Sequence, residues 1–189
     1  MSSKKSAKDQ LIETASRLFR LRGYHGVGLK EIIEESGTAK GSLYHYFPEG
    51  KEQLAIAAIE HTKNFVSDKV QEDLAEAADP IQAIQGHIQK LAEELSKDSV
   101  FGMPIGTIAG ETYLTNEPIR LACQAVFSEW QGLYQEKLSQ SGYSEKQAAD
   151  YALVLIALVE GGILLSITSK SGEALSRIAG QIPLLIKKE

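Results

Sequence analysis

Residues 37–54 read GTAKGSLYHYFPEGKEQL, and this stretch decides the fold. A glycine stop at Gly37, a short amphipathic run from about Lys40 to Phe47, and a break at Pro48 and Gly50 describe one brief helix between two turns. At 100° per residue from Ala39, the side chains of Ala39, Leu43, Tyr46 and Phe47 fall on one face, predicted to be core. Gly41, Tyr44 and His45 point the opposite way, with Lys40 and Ser42 at the flanks. Two short helices joined around a glycine form the helix-turn-helix plan, whose second helix enters a DNA major groove. On that plan Gly41 removes bulk where the helix nears the duplex, and His45 faces a base edge. Tyr44 offers a hydroxyl to a phosphate, and Lys40 and Lys51 neutralise phosphates.

Working outward, apolar residues recur at helical spacing almost everywhere. Leu11, Ala15, Leu18 and Phe19 predict a helix over Ser6 to Arg22, and Leu29, Ile32 and Ile33 a short one ending at Gly37. A fourth helix is predicted from Lys51 to near Ala77, and others at about 80–97, 104–114, 117–141, 145–169 and 172–187. No stretch of alternating β-branched residues bounded by hairpin turns is found. The expected fold class is all-α: a three-helix DNA-binding head at residues 1–51 and a larger helical body at 52–189.

Charge follows the same division. The overall balance is −5, but residues 1–51 hold 9 Lys and Arg against 6 Asp and Glu, and the remainder 11 against 19. A basic head on an acidic body suits a DNA partner for the head. The opening MSSKKSAK has no long apolar run behind its lysines, which predicts neither a secretory signal nor a lipid anchor and a cytoplasmic protein. Cys123 has no second cysteine to pair with, and its apolar neighbours Leu121, Ala122 and Val126 suggest a buried, inert thiol. The four histidines and Cys123 lack zinc-type spacing, so neither a metal nor a cofactor is expected. Walker, HExxH, GxSxG and dinucleotide signatures are absent, which argues against an enzyme.

The body must supply whatever the head is coupled to. YALVLIALVEGGILLSI, residues 151–167, is the most apolar run and stands at the lower edge of membrane-span length. Glu160 near its centre and the Gly161-Gly162 pair argue against insertion. A helix apolar nearly all round is instead expected to bury two sides, one against its own domain and one against a second copy. With the final helix it predicts a four-helix homodimer interface from Leu155, Leu158, Gly161, Gly162, Leu165, Ile178, Ile182 and Leu185. Pro183 is expected to bend or end that last helix. A richer share of aromatics and methionine in mid-body suits a largely apolar ligand site: Phe101, Met103, Ile105, Ile108, Tyr113, Phe127, Trp130 and Tyr134, with His61, His87, Glu111 and Cys123 as candidate polar anchors.

From Leu11 to about Leu54 the chain resembles the N-terminal domain of TetR-family transcriptional regulators. The resemblance is carried by Ala15, Leu18, Phe19, Gly23, Tyr24, Ile32, Gly37, Lys40, Gly41, Ser42, Leu43, Tyr44, Tyr46, Phe47, Lys51, Glu52 and Leu54. It implies DNA contacts from Thr38, Lys40, Gly41, Ser42, Tyr44, His45, Tyr46 and Lys51 to a palindromic double-stranded operator. It also implies an effector held between helices of the body. There are two departures. Val27 and Gly28 replace the hydroxyl pair that commonly caps the second helix, and Gly50 lengthens the FPEGKE loop, which bears on Lys51 as a phosphate contact. That loop and SVFGMPIGTIAGE, residues 99–111, resemble the regulators around LmrA and YxaF. This implies a repressor of efflux or degradation genes, released by planar, mostly apolar molecules.

Overall fold

The computed structural model describes residues 5–97 and 104–188, and among these it is built of nine α-helices with no strand. They are α1 (Ala7–Arg22), α2 (Leu29–Ser36), α3 (Lys40–Tyr46), α4 (Lys51–Ala75), α5 (Pro80–Ser96), α6 (Ile105–Thr112), α7 (Glu117–Gln140), α8 (Glu145–Ser169) and α9 (Glu173–Leu185). Local chemistry sets most of their ends. Ser6 caps α1 by accepting the Asp9 N–H, Asp79 caps α5 by accepting from Gln82 with Pro80 just behind it, and Ser144 and Gln147 close a reciprocal capping box on α8. Gly37 stops α2 in the left-handed conformation. Pro183 lies inside α9, which ends two residues later.

The chain packs as two compact units. One comprises Met1–Phe65 with Gly102–Val126, the other Val66–Phe101 with Phe127–Glu189, so α4 and α7 each contribute to both. In the first unit α1 packs on α2 and α3 through Leu11, Ala15, Leu18 and Phe19, with Ile32, Leu43 and Phe47 completing the core. Arg17 and Arg22 of α1 pair with Glu35 and Glu31 of α2 across the outer side. Val27 is buried, so the position where a capping hydroxyl was expected serves the core instead. Gly28 starts α2 with no side-chain cap.

In the second unit α5, α8 and α9 pack on one another. Two glycines key them together. A Cβ on Gly162 would lie 2.5 Å from Leu175 Cδ2, and one on Gly172 would lie 2.0 Å from the Ala92 carbonyl oxygen. At the second contact the Gly172 N–H donates to Ser96 Oγ at 3.0 Å. On α8, Ala148, Ala152, Leu155, Ile156, Val159, Gly162 and Ser166 are buried.

That face corrects part of the expected interface. Leu155, Gly162 and Ile182 belong to the unit's own core, because an all-round apolar helix gives no sequence sign of which side faces inward. Leu158 and Ile178 are half-buried, and Gly161, Leu165 and Leu185 are exposed. The exposed apolar stripe runs through Leu153, Val154, Ala157, Gly161, Leu164 and Leu165 of α8, with Leu184 and Leu185 on α9. By length and composition α8 could cross a membrane; its buried side instead packs with α5 and α9.

Candidate DNA-reading head and effector unit

Two anchors fix α3, Leu43 at 0% exposure and Phe47 at 2%. Lys40, Gly41, Tyr44 and His45 project from the opposite side and are exposed, and Ser42 at the flank is half-buried, as the spacing requires. Ala39 and Tyr46 were expected on the inner face and are exposed. α3 is only seven residues long, and its outermost positions overhang the core below. The Tyr46 ring lies edge-on to His45, centroids 4.9 Å apart, so it shares the outward face. A Cβ on Gly41 would meet no heavy atom within 4 Å, so nothing inside the protein demands a glycine there. The Thr38 hydroxyl is 2.8 Å from Ser36 Oγ in the turn before α3. Lys51 is half-buried with its Nζ 4.3 Å from the centre of the Tyr24 ring.

The residues expected to line a ligand site divide between the two units. Ile105 is buried and His61 and Tyr113 are exposed in the first; Phe127 is half-buried and Trp130 and Tyr134 are buried in the second. Phe101 and Met103 lie outside the described residues. The structure therefore gathers the α7 aromatics, Phe127 and Trp130 edge-to-face at 6.3 Å with Tyr134 one turn on. Beside them is a buried polar cluster that sequence reasoning only touched through His87. His87 Nδ1 lies 2.8 Å from Asp73 Oδ2, Lys90 Nζ donates to Asp73 Oδ1 at 2.8 Å, and the His87 and Tyr134 rings are 6.1 Å apart.

Burial alone would raise the Asp73 pKa, but hydrogen bonds from His87 and Lys90, and their charges, hold it below the usual carboxylate range. Burial pushes Tyr134 well above an ordinary phenol, with the Glu160 and Asp73 charges adding to it. Ser67 Oγ donates to Glu129 at 2.6 Å. No sequence signal pairs Asp73 with His87, since α4 and α5 bring them together only on folding. Cys123 is buried and its thiol is pushed up to about 11 by desolvation, an inert setting. Among the described residues no group of His, Cys, Asp and Glu could hold a metal ion.

Residues 11–58, which span the helix-turn-helix, match the family model of bacterial regulatory proteins of the tetR family. Residues 80–181 match that of the LmrA/YxaF-like transcriptional regulator C-terminal domain. The chain belongs to the TetR family of bacterial transcriptional regulators. This TetR-family regulator is 43% identical over 190 residues to the HTH-type transcriptional regulator YxaF of Bacillus subtilis, covering 100% of both chains. It is 43% identical over 183 residues to LmrA of the same organism, covering 96% of this chain and 97% of that one. The crystal structure of reduced E. coli NemR shares the fold, with TM-score 0.84 at 24% identity over 97% of this chain and 98% of that one. Both matched families and both Bacillus subtilis relatives are transcriptional regulators, not enzymes.

Proposed function

We propose that this regulator is a homodimeric repressor that holds a palindromic operator through α3 and is released by an apolar or aromatic small molecule. Residues 1–51 read DNA and residues 52–189 sense the effector and dimerise. The observation that carries the reading is the outer face of α3, where Lys40, Gly41, Tyr44, His45 and Tyr46 stand exposed around a glycine with open space above it. His45 is assigned to a base edge, and Lys40, Ser42, Tyr44 and Thr38 to the backbone of the duplex. The exposed stripe of α8 and α9 supports an isologous interface, which would present two α3 helices to half-sites about one helical turn apart.

The α7 aromatics Phe127, Trp130 and Tyr134, with His87 beside them, support an effector site for a flat apolar ligand with few polar anchors. Release requires that the effector bind the DNA-free arrangement more tightly than the DNA-bound one. The resemblance to regulators around LmrA and YxaF supports efflux or degradation genes as targets, and a DNA reader works in the cytoplasm. Selection of bound duplexes from a random library at near-physiological salt tests the reading. A palindromic consensus is expected, and a folded dimer that enriches nothing would overturn the operator assignment.

A further inference from the structure

The first residue of α4, Lys51, carries a half-buried cation. Gly50 adopts φ +73°, its N–H donates to the Phe47 carbonyl at 2.9 Å, and its carbonyl accepts from Leu54 at 3.1 Å. The added residue of the loop is thus a left-handed joint between α3 and α4. From it Lys51 emerges half-buried against the face of Tyr24, a buried ring 5.7 Å from Phe19 in the turn that leaves α1.

Glu111, in the last turn of α6, reaches the same turn. Its Oε2 accepts the His25 N–H at 3.1 Å, and its backbone carbonyl lies 3.3 Å from His25 Nε2. Its carboxylate occupies the space above Gly23, where a Cβ would lie 2.1 Å from Oε1. Burial lowers the Lys51 pKa, and the Glu111 charge opposes that shift. A second tie runs alongside, Asn116 Nδ2 donating to Glu52 Oε2 at 2.6 Å.

We propose that Lys51 is a positioning residue and not a phosphate contact: with Tyr24 and Glu111 it forms a knot that holds the first turn of α4 and the last turn of α6 onto the α1–α2 turn, and operator affinity depends on it. This rests on the head being a DNA reader. Lys51 does not project freely into solvent. It is instead partly desolvated over an aromatic face, where cation–π attraction strengthens. Lys40 shows the contrast, exposed and 6.0 Å from the Tyr44 ring centre. Because α1 packs on both α2 and α3, loosening the α1–α2 turn disturbs the setting of the reading helix.

The test uses the full chain, a duplex carrying the sequence that the wild type enriches, and equilibrium binding across a salt series. Loss of one phosphate contact lowers the slope of log K against log salt by about 0.9. Lys51→Gln is expected to weaken binding severalfold with the slope unchanged, and Lys51→Arg to restore it. Glu111→Gln keeps the acceptor for His25 but loses the charge. It is expected to weaken binding likewise, and the double variant to be no weaker than the worse single. Should Lys51→Gln fail to fold, Glu111→Gln carries the test alone. A slope lowered by about 0.9 in Lys51→Gln, unchanged affinity at every salt concentration, or tighter binding by Glu111→Gln would each overturn the knot. Lys40→Ala separates the two readings. It is expected to lower the slope by about 0.9, and a wild-type slope there would strike the DNA-reading assignment itself.

Discussion

Replacing Gly41 with alanine is expected to move folding stability and operator affinity in opposite directions. Gly41 is the second residue of α3, its φ is not positive, and a Cβ built there meets nothing within 4 Å. The folded chain therefore gains helix propensity, and the unfolded chain loses freedom, together about 0.5–1 kcal/mol of stability. For a chain of 189 residues that is a rise of about 1–4 °C in melting temperature. On the duplex the same methyl enters the space between α3 and the groove. Overpacking of a fitted contact costs about 1–3 kcal/mol, roughly a 5- to 150-fold loss of affinity. Melting at fixed protein concentration and fluorescence anisotropy with a labelled operator read the two arms. A lower melting temperature would refute the open space above Gly41. Unchanged affinity would refute the claim that this face of α3 meets DNA.

Three further outcomes are expected. Gly28→Ser supplies the missing cap of α2 at φ −101°, with nothing within 4 Å of its Cβ, and is expected to raise stability by about 0.5–1 kcal/mol in urea titration; no shift in midpoint would remove the capping argument. Because the Asp73 pKa is depressed in the folded state, its stabilisation is complete above the unfolded value of about 4 and is lost as pH falls through the folded value. Urea midpoints between about pH 2 and 7 are expected to fall more steeply for the wild type than for Asp73→Asn, and parallel curves would contradict this. Leu165→Glu puts a charge in the exposed stripe of α8 and is expected to weaken dimerisation by about 30-fold or more, read by sedimentation equilibrium; an unaltered dimer would move the interface elsewhere.

Element ends were legible in the sequence because glycine, proline and capping residues act locally. Gly37, Pro48 and Pro80 each mark a boundary that a few neighbouring residues determine. Faces were legible only where a helix is amphipathic. α1 buries the four residues its spacing names, whereas α8 is apolar nearly all round, and its inward side depends on where α5 and α9 lie. The spacing puts Tyr46 inward, but the end of this short helix overhangs its core and leaves the ring exposed. The contact between His25 and Glu111 spans 86 residues and leaves no local trace. The polar cluster of Asp73, His87 and Lys90 is of the same kind, ordinary charged residues until two helices meet.

Gly162 and Gly172 fix how α8 and α9 register against each other and against α5. With no side chain between backbone and neighbour at either point, sliding or rolling would drive atoms into contact. The apolar stripe outside them is consequently presented by a preset frame, and a surface already ordered loses little conformational entropy when it is covered. A partner covering it would be limited by side-chain fit and not by the cost of ordering a backbone.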